Sequence, residues 1–242
     1  IYVFDDAGIA KENWSEGIEV ASNVVRRSQQ ENIYVNMANT VIVAFNQASA
    51  GASIGIFASG AHDLLMNRVW GNTNHGILSS QLNTFPGQAQ NPTVAHNRSW
   101  GNGLNGIQVL GGALSRANPP TPEILHNKCW SNGFSGTTLG GKAGLRANGV
   151  YHPTIQGNEV SESYGPGILI ESCTGYVADG GNKLRNNGWD ATLPQMQRAG
   201  IYVLCTATAF KEGRLMSNKM FSGDYQQVGY AAEFDTTGSL IC

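Results

Sequence analysis

The chain has little charge, few cysteines and no long apolar run. Charged residues make up 13% of its 242 positions, against roughly 25% in an average soluble domain. The net charge of −2 provides no basic field for nucleic acid, so we predict no nucleic-acid partner. No apolar run reaches the roughly 20 residues that cross a bilayer, so we also predict no membrane partner.

Asparagine and glycine supply the polarity instead, and they recur at a fixed distance. The chain holds 23 Asn and 31 Gly. Asn67, Asn97 and Asn127 are separated by steps of 30 residues, and Asn158 follows after 31. The step of 30 also separates three tryptophans, namely Trp70, Trp100 and Trp130. Such a period predicts a stack of similar structural units.

A second recurring element is a short segment that begins with Gly-Ile. It occurs as GIEV, GIFA, GILS, GIQV, GILI and GIYV. These segments alternate with period 2, which is typical of strands. No apolar pattern of period 3.6 persists for three turns, which excludes a helical solenoid. A repeat of roughly 22–35 residues with short strands predicts a parallel β-helix, in which coils stack roughly 4.8 Å apart.

Stacked coils place each repeated residue directly above its copy. We therefore expect Asn67, Asn97, Asn127 and Asn158 to form a hydrogen-bonded ladder at one bend of the coil. The predicted fold class is all-β, a single-stranded right-handed parallel β-helix of about eight coils, with the hand that parallel crossovers adopt. We expect residues 1–242 to form a single domain and to be a module of a longer or processed chain.

The pattern N-x-x-W-x-N followed by G-I-x-V resembles the repeat of the pectate-lyase-like superfamily of parallel β-helices. The resemblance runs from about Gly17 to about Phe221. It implies the fold but not one function, because the superfamily includes lyases, hydrolases, epimerases, tailspikes and adhesins. The chain lacks the paired aspartates of polygalacturonases, the Asp-Pro-His-Asp segment of alginate epimerases and the Arg-x-Pro-x-x-Arg segment of pectate lyases.

The first candidate site is a surface of basic and tryptophan residues. If Asn97 lies at the bend and Ser99 points inward, then Arg98 and Trp100 point outward. With their copies, these residues form a predicted carbohydrate-binding set: Arg68, Arg98, Lys128, Trp70, Trp100 and Trp130. Indole faces suit sugar rings, and cations suit carboxylates or sulfates. The alternative is that the indoles stack on each other and on Arg for stability alone.

The second candidate site is the outer face of the Gly-Ile strands, where the resembling enzymes carry catalysis. Arg146, Glu171 and Tyr202 lie on successive repeats of this face, and the turn before it supplies His75. Lyase chemistry needs a base to remove the proton alpha to a carboxylate, and a cation to stabilise the enolate. We assign Tyr202 or His75 as the base and Arg146 as the cation. The alternative is a surface ion pair of Arg146 with Glu171.

No metal site and no cofactor are predicted. The cysteines have no zinc-type spacing, and a calcium site is left open although its best segment offers only Asp179. His96 and His126, 30 residues apart, are expected to form an outer polar column. Cys173 and Cys205 fit a disulfide or two stacked core thiols equally well.

These features favour two functions. The first is a protein that acts on or binds an acidic polysaccharide and is lyase-like if it is catalytic. The alternative is a non-catalytic structural or adhesive β-helix, such as a surface fibre, tailspike or filament subunit. It would self-associate through the solenoid ends or the lateral face. Either function predicts a secreted or cell-surface protein.

Overall fold

The computed structural model describes residues 1–4, 16–80, 91–111, 121–205, 213–221, 225–226 and 228–234. Within these ranges the chain forms 23 strands and two short 3-10 turns, Leu139–Gly141 and Gln195–Gln197, and every strand pair is parallel. The strands form three stacks that run along one axis, which confirms the predicted parallel β-helix.

Two of the stacks merge into one 15-stranded sheet, because the long strands β4 and β6 bend through both of them. The first, called here the Gly-Ile stack, contains β1 Tyr2–Phe4, the first parts of β4 Ile33–Ala44 and β6 Ile56–Leu65, β8 Ile77–Ser80, β11 Ile107–Leu110, β14 Leu145–Asn148, β17 Ile168–Glu171, β20 Ala199–Cys205 and β23 Val228–Phe234. The middle stack contains β2 Glu16–Ala21, the second parts of β4 and β6, β9 Thr93–Ala95, β12 Glu123–Leu125, β15 Thr154–Gln156, β18 Tyr176–Ala178 and β21 Gly213–Leu215.

The third stack is a separate eight-stranded sheet of three-residue strands. It contains β3 Val24–Arg26, β5 Gln47–Ser49, β7 Arg68–Trp70, β10 Arg98–Trp100, β13 Lys128–Trp130, β16 Glu159–Ser161, β19 Lys183–Arg185 and β22 Lys219–Phe221. Its register pairs each repeated residue with its copy, as in Arg68↔Arg98 and Trp70↔Trp100. The spacing of 30 residues is therefore one coil.

Left-handed residues make the sharp corners on both sides of the three-residue strands β3 to β19 of the eight-stranded sheet. Met66 has a φ of 55° and Gly71 a φ of 62°, and each directly precedes a buried asparagine, Asn67 or Asn72. A left-handed residue turns the chain abruptly, and the asparagine that follows turns its side chain into the coil to bond the exposed backbone groups. This explains why the repeat places asparagines five residues apart.

The buried asparagines form the predicted ladder. Nδ2 of Asn67 donates to Oδ1 of Asn97 at 3.0 Å, and Nδ2 of Asn97 donates to Oδ1 of Asn127 at 3.0 Å. Each amide also bonds a strand carbonyl, such as that of Leu64 from Asn97 at 2.8 Å. The ladder is longer than the spacing predicts, since it contains Asn23, Asn46, Asn67, Asn97, Asn127, Asn158, Asn182 and Asn218.

The hydrophobic core fills the interior of the coils. Rows of Ile, Val, Leu and Ala from the three stacks meet there, and many are fully buried, including Ile77, Ile107 and Ile124. Val69 and Cys129 point inward beside the buried Ser99, as their parity predicts. Burial raises the pKa of the Cys129 thiol, which is consistent with a structural role.

Candidate functional site

The outer surface of the eight-stranded sheet carries a column of charged residues, called here the basic column. Register places these residues one per coil: Arg68, Arg98, Lys128, Glu159, Lys183 and Lys219. All of them are exposed. Lys128 pairs with Glu159 at 3.2 Å. Four cations of the column have no ion-pair partner among the described residues, namely Arg68, Arg98, Lys183 and Lys219.

The three tryptophans form a second column on the same surface, and they stack on one another. The ring centroids of Trp70 and Trp100 lie 4.9 Å apart, and those of Trp100 and Trp130 lie 4.7 Å apart. The rings are parallel within 6° and 4°. Both faces of Trp100 are therefore covered, which contradicts the expectation that all three indoles offer flat faces to sugar rings. The edges of the half-buried indoles remain at the surface.

A groove runs beside the basic column, along the corner between the middle stack and the eight-stranded sheet. Its upper part has a volume of about 470 Å³ and its lower part about 360 Å³, and the two share Met66, His96 and Arg98. The left-handed corner residues form one wall. His96 and His126 stack there at 5.2 Å, which confirms the outer column predicted for them.

The structure brings Arg146 and Glu171 together on the Gly-Ile stack. Nε of Arg146 donates to Oε2 of Glu171 at 2.9 Å, and Nη2 donates to the same oxygen. The 3-10 turn Leu139–Gly141 lies over this pair, since a Cβ placed on Gly140 would be 2.8 Å from Cζ of Arg146. The ion pair expected as the alternative to catalysis is thus formed, and it is largely covered.

Tyr202 lies on the predicted outward face of its strand, but its side chain is completely buried. It packs in a small outer cluster with Ala143, Leu169 and Ala199, against which Leu139 and Val228 also pack. The assignment of Tyr202 as a base that a substrate can reach is therefore wrong. Leu139 and Ala143 belong to the segment before β14, which covers this face of the sheet. A second segment, with the turn Gln195–Gln197, precedes Ala199 and contacts β20 and β23.

His75 is half-buried and lies within electrostatic range of Arg146. Burial, and to a lesser extent the charge of Arg146, lower the pKa of His75 to about 4. Its Nδ1 is buried and has no hydrogen-bond partner among the described residues. The imidazole is therefore neutral near pH 7, and its unpartnered Nδ1 is closed to solvent.

The two covering segments are fastened by an ion pair that the sequence did not suggest. Nζ of Lys142 contacts Oδ2 of Asp190, and both side chains are mostly buried. The hydrogen bond from Lys142, followed by those from Thr192, lowers the pKa of Asp190 to about 2. Neither residue belongs to the repeat pattern, so no periodic signal identifies them.

The described residues contain no group of three His, Cys, Asp or Glu side chains that could hold a metal ion. The side chain of Cys205 lies outside the described part of the chain, so its predicted pairing with Cys173 stays a prediction. No helix among the described residues is long and apolar enough to cross a membrane.

Comparisons with known proteins agree on the architecture. The A-module of the Azotobacter vinelandii mannuronan C-5 epimerase AlgE4 superposes with a TM-score of 0.62 at 13% identity, over 92% of this chain and 63% of that module. The A-module of AlgE6 from the same organism gives 0.57 at 15% identity, over 90% and 65%. The periplasmic alginate epimerase AlgG gives 0.57 at 14% identity, over 86% and 48%.

At these identities the superpositions show the fold alone, and the chain spans less than two thirds of each of these structures. No curated protein matches the sequence. The resemblance to the pectate-lyase-like β-helices is confirmed at the level of the fold. The sequence model of the family described as a right-handed beta helix region matches residues 1–145. Because this match covers more than half of a chain that folds as stacked parallel coils, the protein belongs to the right-handed β-helix family.

Proposed function

We propose that this protein binds an acidic polysaccharide along the outer surface of the eight-stranded sheet. The observation that carries the proposal is the basic column, in which four exposed cations without ion-pair partners face one way. Successive coils are roughly 4.8 Å apart, so a polymer that lies along the axis meets charged groups at short, regular intervals. Charge-assisted hydrogen bonds from Arg and Lys to carboxylates are stronger than neutral ones.

The groove beside the basic column is a second reason to propose that the polysaccharide binds at this surface. Arg68 and Arg98 form one wall, while Phe45 and Met66, both largely exposed, provide apolar contact on the other. A sugar ring has both hydroxyl groups and apolar C–H faces, so mixed walls of this kind suit it. The stacked indoles stabilise the flat outer surface of the eight-stranded sheet, and their ring edges lie at that surface.

The contacts on the Gly-Ile stack favour a binding protein over an enzyme. Arg146 is tied to Glu171 beneath a turn, and Tyr202 is buried. Glycoside hydrolysis also needs two opposed carboxylates, and Glu171 is already engaged by Arg146. These contacts favour the non-catalytic interpretation of the chain.

The structural neighbours named as mannuronan and alginate epimerases support an acidic polymer as the ligand. Such polymers are found outside the cytoplasm, so we also propose that the protein is secreted or displayed at the cell surface. Self-association through the ends or the lateral face remains the proposal for a structural or adhesive role.

The binding proposal is tested by titrating the protein with polygalacturonate and with neutral dextran in a calorimeter. We expect only the acidic polymer to bind, and we expect its affinity to fall with added salt because exposed charges are screened. Arg98→Gln should weaken binding about fivefold, as the loss of about 1 kcal/mol predicts. The matched control is Arg214→Gln, which removes an exposed cation from the middle stack. Equal effects of the two variants would contradict the proposed surface.

A second candidate function is lyase-like elimination at His75, and the electrostatic influence of Arg146 on its neutral imidazole favours it. A neutral imidazole can remove the proton alpha to a uronate carboxylate, while the guanidinium stabilises the enolate. The enolate then forms the C4–C5 double bond as the C4–O bond breaks, and the departing sugar oxygen takes a proton from the imidazolium or from water. Incubation with a panel of uronic-acid polymers should then give the ultraviolet absorbance of an unsaturated product. His75→Gln should remove that absorbance. A panel without any product excludes this candidate.

A further inference from the structure

The tryptophan ladder stops abruptly at β16, and a notch opens there. The register runs from Trp130 to Ser161, then to Arg185 and Phe221. The side chain at this position thus shrinks from an indole to a hydroxymethyl group within one coil. The resulting cavity has a volume of about 430 Å³, which is within the range of pockets that bind small molecules.

An aromatic side chain lines one end of the notch, and the last tryptophan of the ladder lies one coil away from Ser161. Trp130 stacks on Trp100 with one face, and its other face is directed toward the coil of Ser161. No described ring covers that second face. Phe221 lines the notch and is 47% exposed. The C–H face of a sugar ring can pack against such a surface.

The notch is lined by two acids and two cations. Glu159 pairs with Lys128 at 3.2 Å, whereas Glu162 accepts a hydrogen bond from the uncharged Oγ of Ser131 at 3.1 Å and keeps its negative charge. Lys183 and Arg185 are exposed and have no ion-pair partner among the described residues. The notch therefore offers two free cations to an anionic ligand.

A buried acceptor completes the set. Asn186 lines the notch, and its Oδ1 is buried without a hydrogen-bond partner among the described residues. A buried polar atom left unpaired costs about 1–3 kcal/mol, so a ligand that donates a hydrogen bond to Oδ1 when the side chain of Asn186 turns toward the notch gains part of that energy. A hydroxyl group is a suitable donor, and a carboxylate is not.

We propose that the notch binds one uronic-acid residue of the acidic polysaccharide. The carboxylate contacts Lys183 and Arg185, a ring hydroxyl donates to Oδ1 of Asn186, and the ring packs against Phe221. The inference rests on the proposed function and adds a defined subsite to it. The basic column attracts the polymer by its charge, whereas the notch recognises a single sugar acid.

The test compares two substitutions at the same position. Ser161→Trp continues the ladder by one ring and fills the notch, while Ser161→Ala leaves it open. Calorimetry with trigalacturonate should show at least a tenfold loss of affinity for Ser161→Trp and less than a twofold change for Ser161→Ala. The neutral trisaccharide maltotriose should not bind to either variant. Arg185→Gln, with Arg214→Gln as its control, gives the same test without filling the notch.

The outcomes separate this proposal from the function on which it rests. If trigalacturonate does not bind, or binds Ser161→Trp as tightly as the natural chain, the notch proposal is overturned. Polygalacturonate binding that still depends on Arg98 would then leave the proposed function intact. If instead trigalacturonate binding is lost in Ser161→Trp while Arg98→Gln has no effect on the polymer, the notch is supported and the basic column is not.

Discussion

Asparagine and histidine are the residues whose burial most affects this molecule. Each ladder asparagine exchanges hydrogen bonds with the coil above and the coil below, and it also bonds a strand carbonyl. His62 is buried inside the coil, where its Nδ1–H donates to the carbonyl of Gly60 at 3.0 Å and its Nε2 accepts from Oγ of Ser79 at 2.7 Å. Polar groups of this kind stabilise the fold only while every partner is present.

Asn97→Ala should strongly destabilise the protein. The change leaves the backbone N–H of Asn67 and the carbonyl of Leu64 buried without these partners. We expect the free energy of unfolding in urea to fall by about 3 kcal/mol, at 1–3 kcal/mol for each unpaired group. Asn74→Ala is the control, because Asn74 is half-buried and donates a longer bond of 3.4 Å to Ser53. Similar losses for both variants would contradict a stabilising ladder.

Acid should destabilise the protein through His62. Burial lowers the pKa of His62 to about 4, whereas an unfolded histidine titrates near 6.5. Between these values the unfolded chain binds a proton that the folded chain does not, so stability falls as the pH drops below about 6.5.

From pH 7.5 to pH 5, we expect His62 to account for a loss of about 2 kcal/mol. His62→Gln should remove that part of the pH dependence, measured as the free energy of unfolding at the two pH values. His152→Gln, at an exposed histidine, should retain it. A pH dependence that is unchanged in His62→Gln would show that this histidine does not bind the proton.

At the scale of the element, the two segments that cover the Gly-Ile stack decide which chemistry that face can perform. The segment with the turn Leu139–Gly141 lies over Arg146, and the segment with the turn Gln195–Gln197 approaches the outer cluster around Tyr202. The Lys142–Asp190 pair joins the two segments. The amide of Gly165 also donates to the carbonyl of Lys142 at 2.8 Å.

Lys142→Ala should loosen this cover. Without its main partner, the carboxyl of Asp190 should regain a pKa closer to the ordinary value of about 3.9, which nuclear magnetic resonance can follow. Amide hydrogen exchange should accelerate at least tenfold at Ala143 and Gly188, since local opening no longer has to break a mostly buried ion pair. Lys183→Ala, on another sheet, should leave both readouts unchanged. An unaltered pKa of Asp190 would show that Lys142 is not its main partner.

At the scale of the whole molecule, each strand pairs only with strands of the neighbouring coils, so stability depends on the position of a residue along the axis. Core residues in the middle coils, such as Ile124 and Ile155, are fully buried. Those in the outer described coils, such as Val25 and Leu215, are only partly buried. A solenoid of this kind behaves approximately as a sum of coil and interface energies.

Ile124→Ala should therefore lower the free energy of unfolding more than a comparable substitution in an outer described coil. We expect a loss of about 3 kcal/mol for Ile124→Ala, as for other fully buried aliphatic residues, and about 1 kcal/mol or less for Leu215→Ala, which removes a half-buried side chain. Urea unfolding measures both. Hydrogen exchange should be slowest in β10 to β17 and faster toward β3 and β22. Uniform exchange along the axis would contradict this gradient.

The sequence by itself determined the fold and the register. A residue that recurs once per coil must lie above its copy, so the spacing of Asn67, Asn97 and Asn127 was enough to predict the ladder and the parity of the strands. The ladder members Asn46 and Asn182 escaped prediction because their coils are shorter and break the step of 30. The basic column was predicted in part for the same reason.

Only the tertiary structure decided how those surfaces are used. The sequence placed three indoles in one column, but the distances of 4.7 and 4.9 Å decided that Trp100 covers its faces with its neighbours. It placed Tyr202 on an outward face, but segments outside the repeat buried it. Covering segments and notches arise where the repeat is interrupted. The spacing of the repeat does not predict how residues outside the repeat pack. The architecture is therefore encoded locally, whereas access to each surface depends on contacts between residues that are distant in the chain.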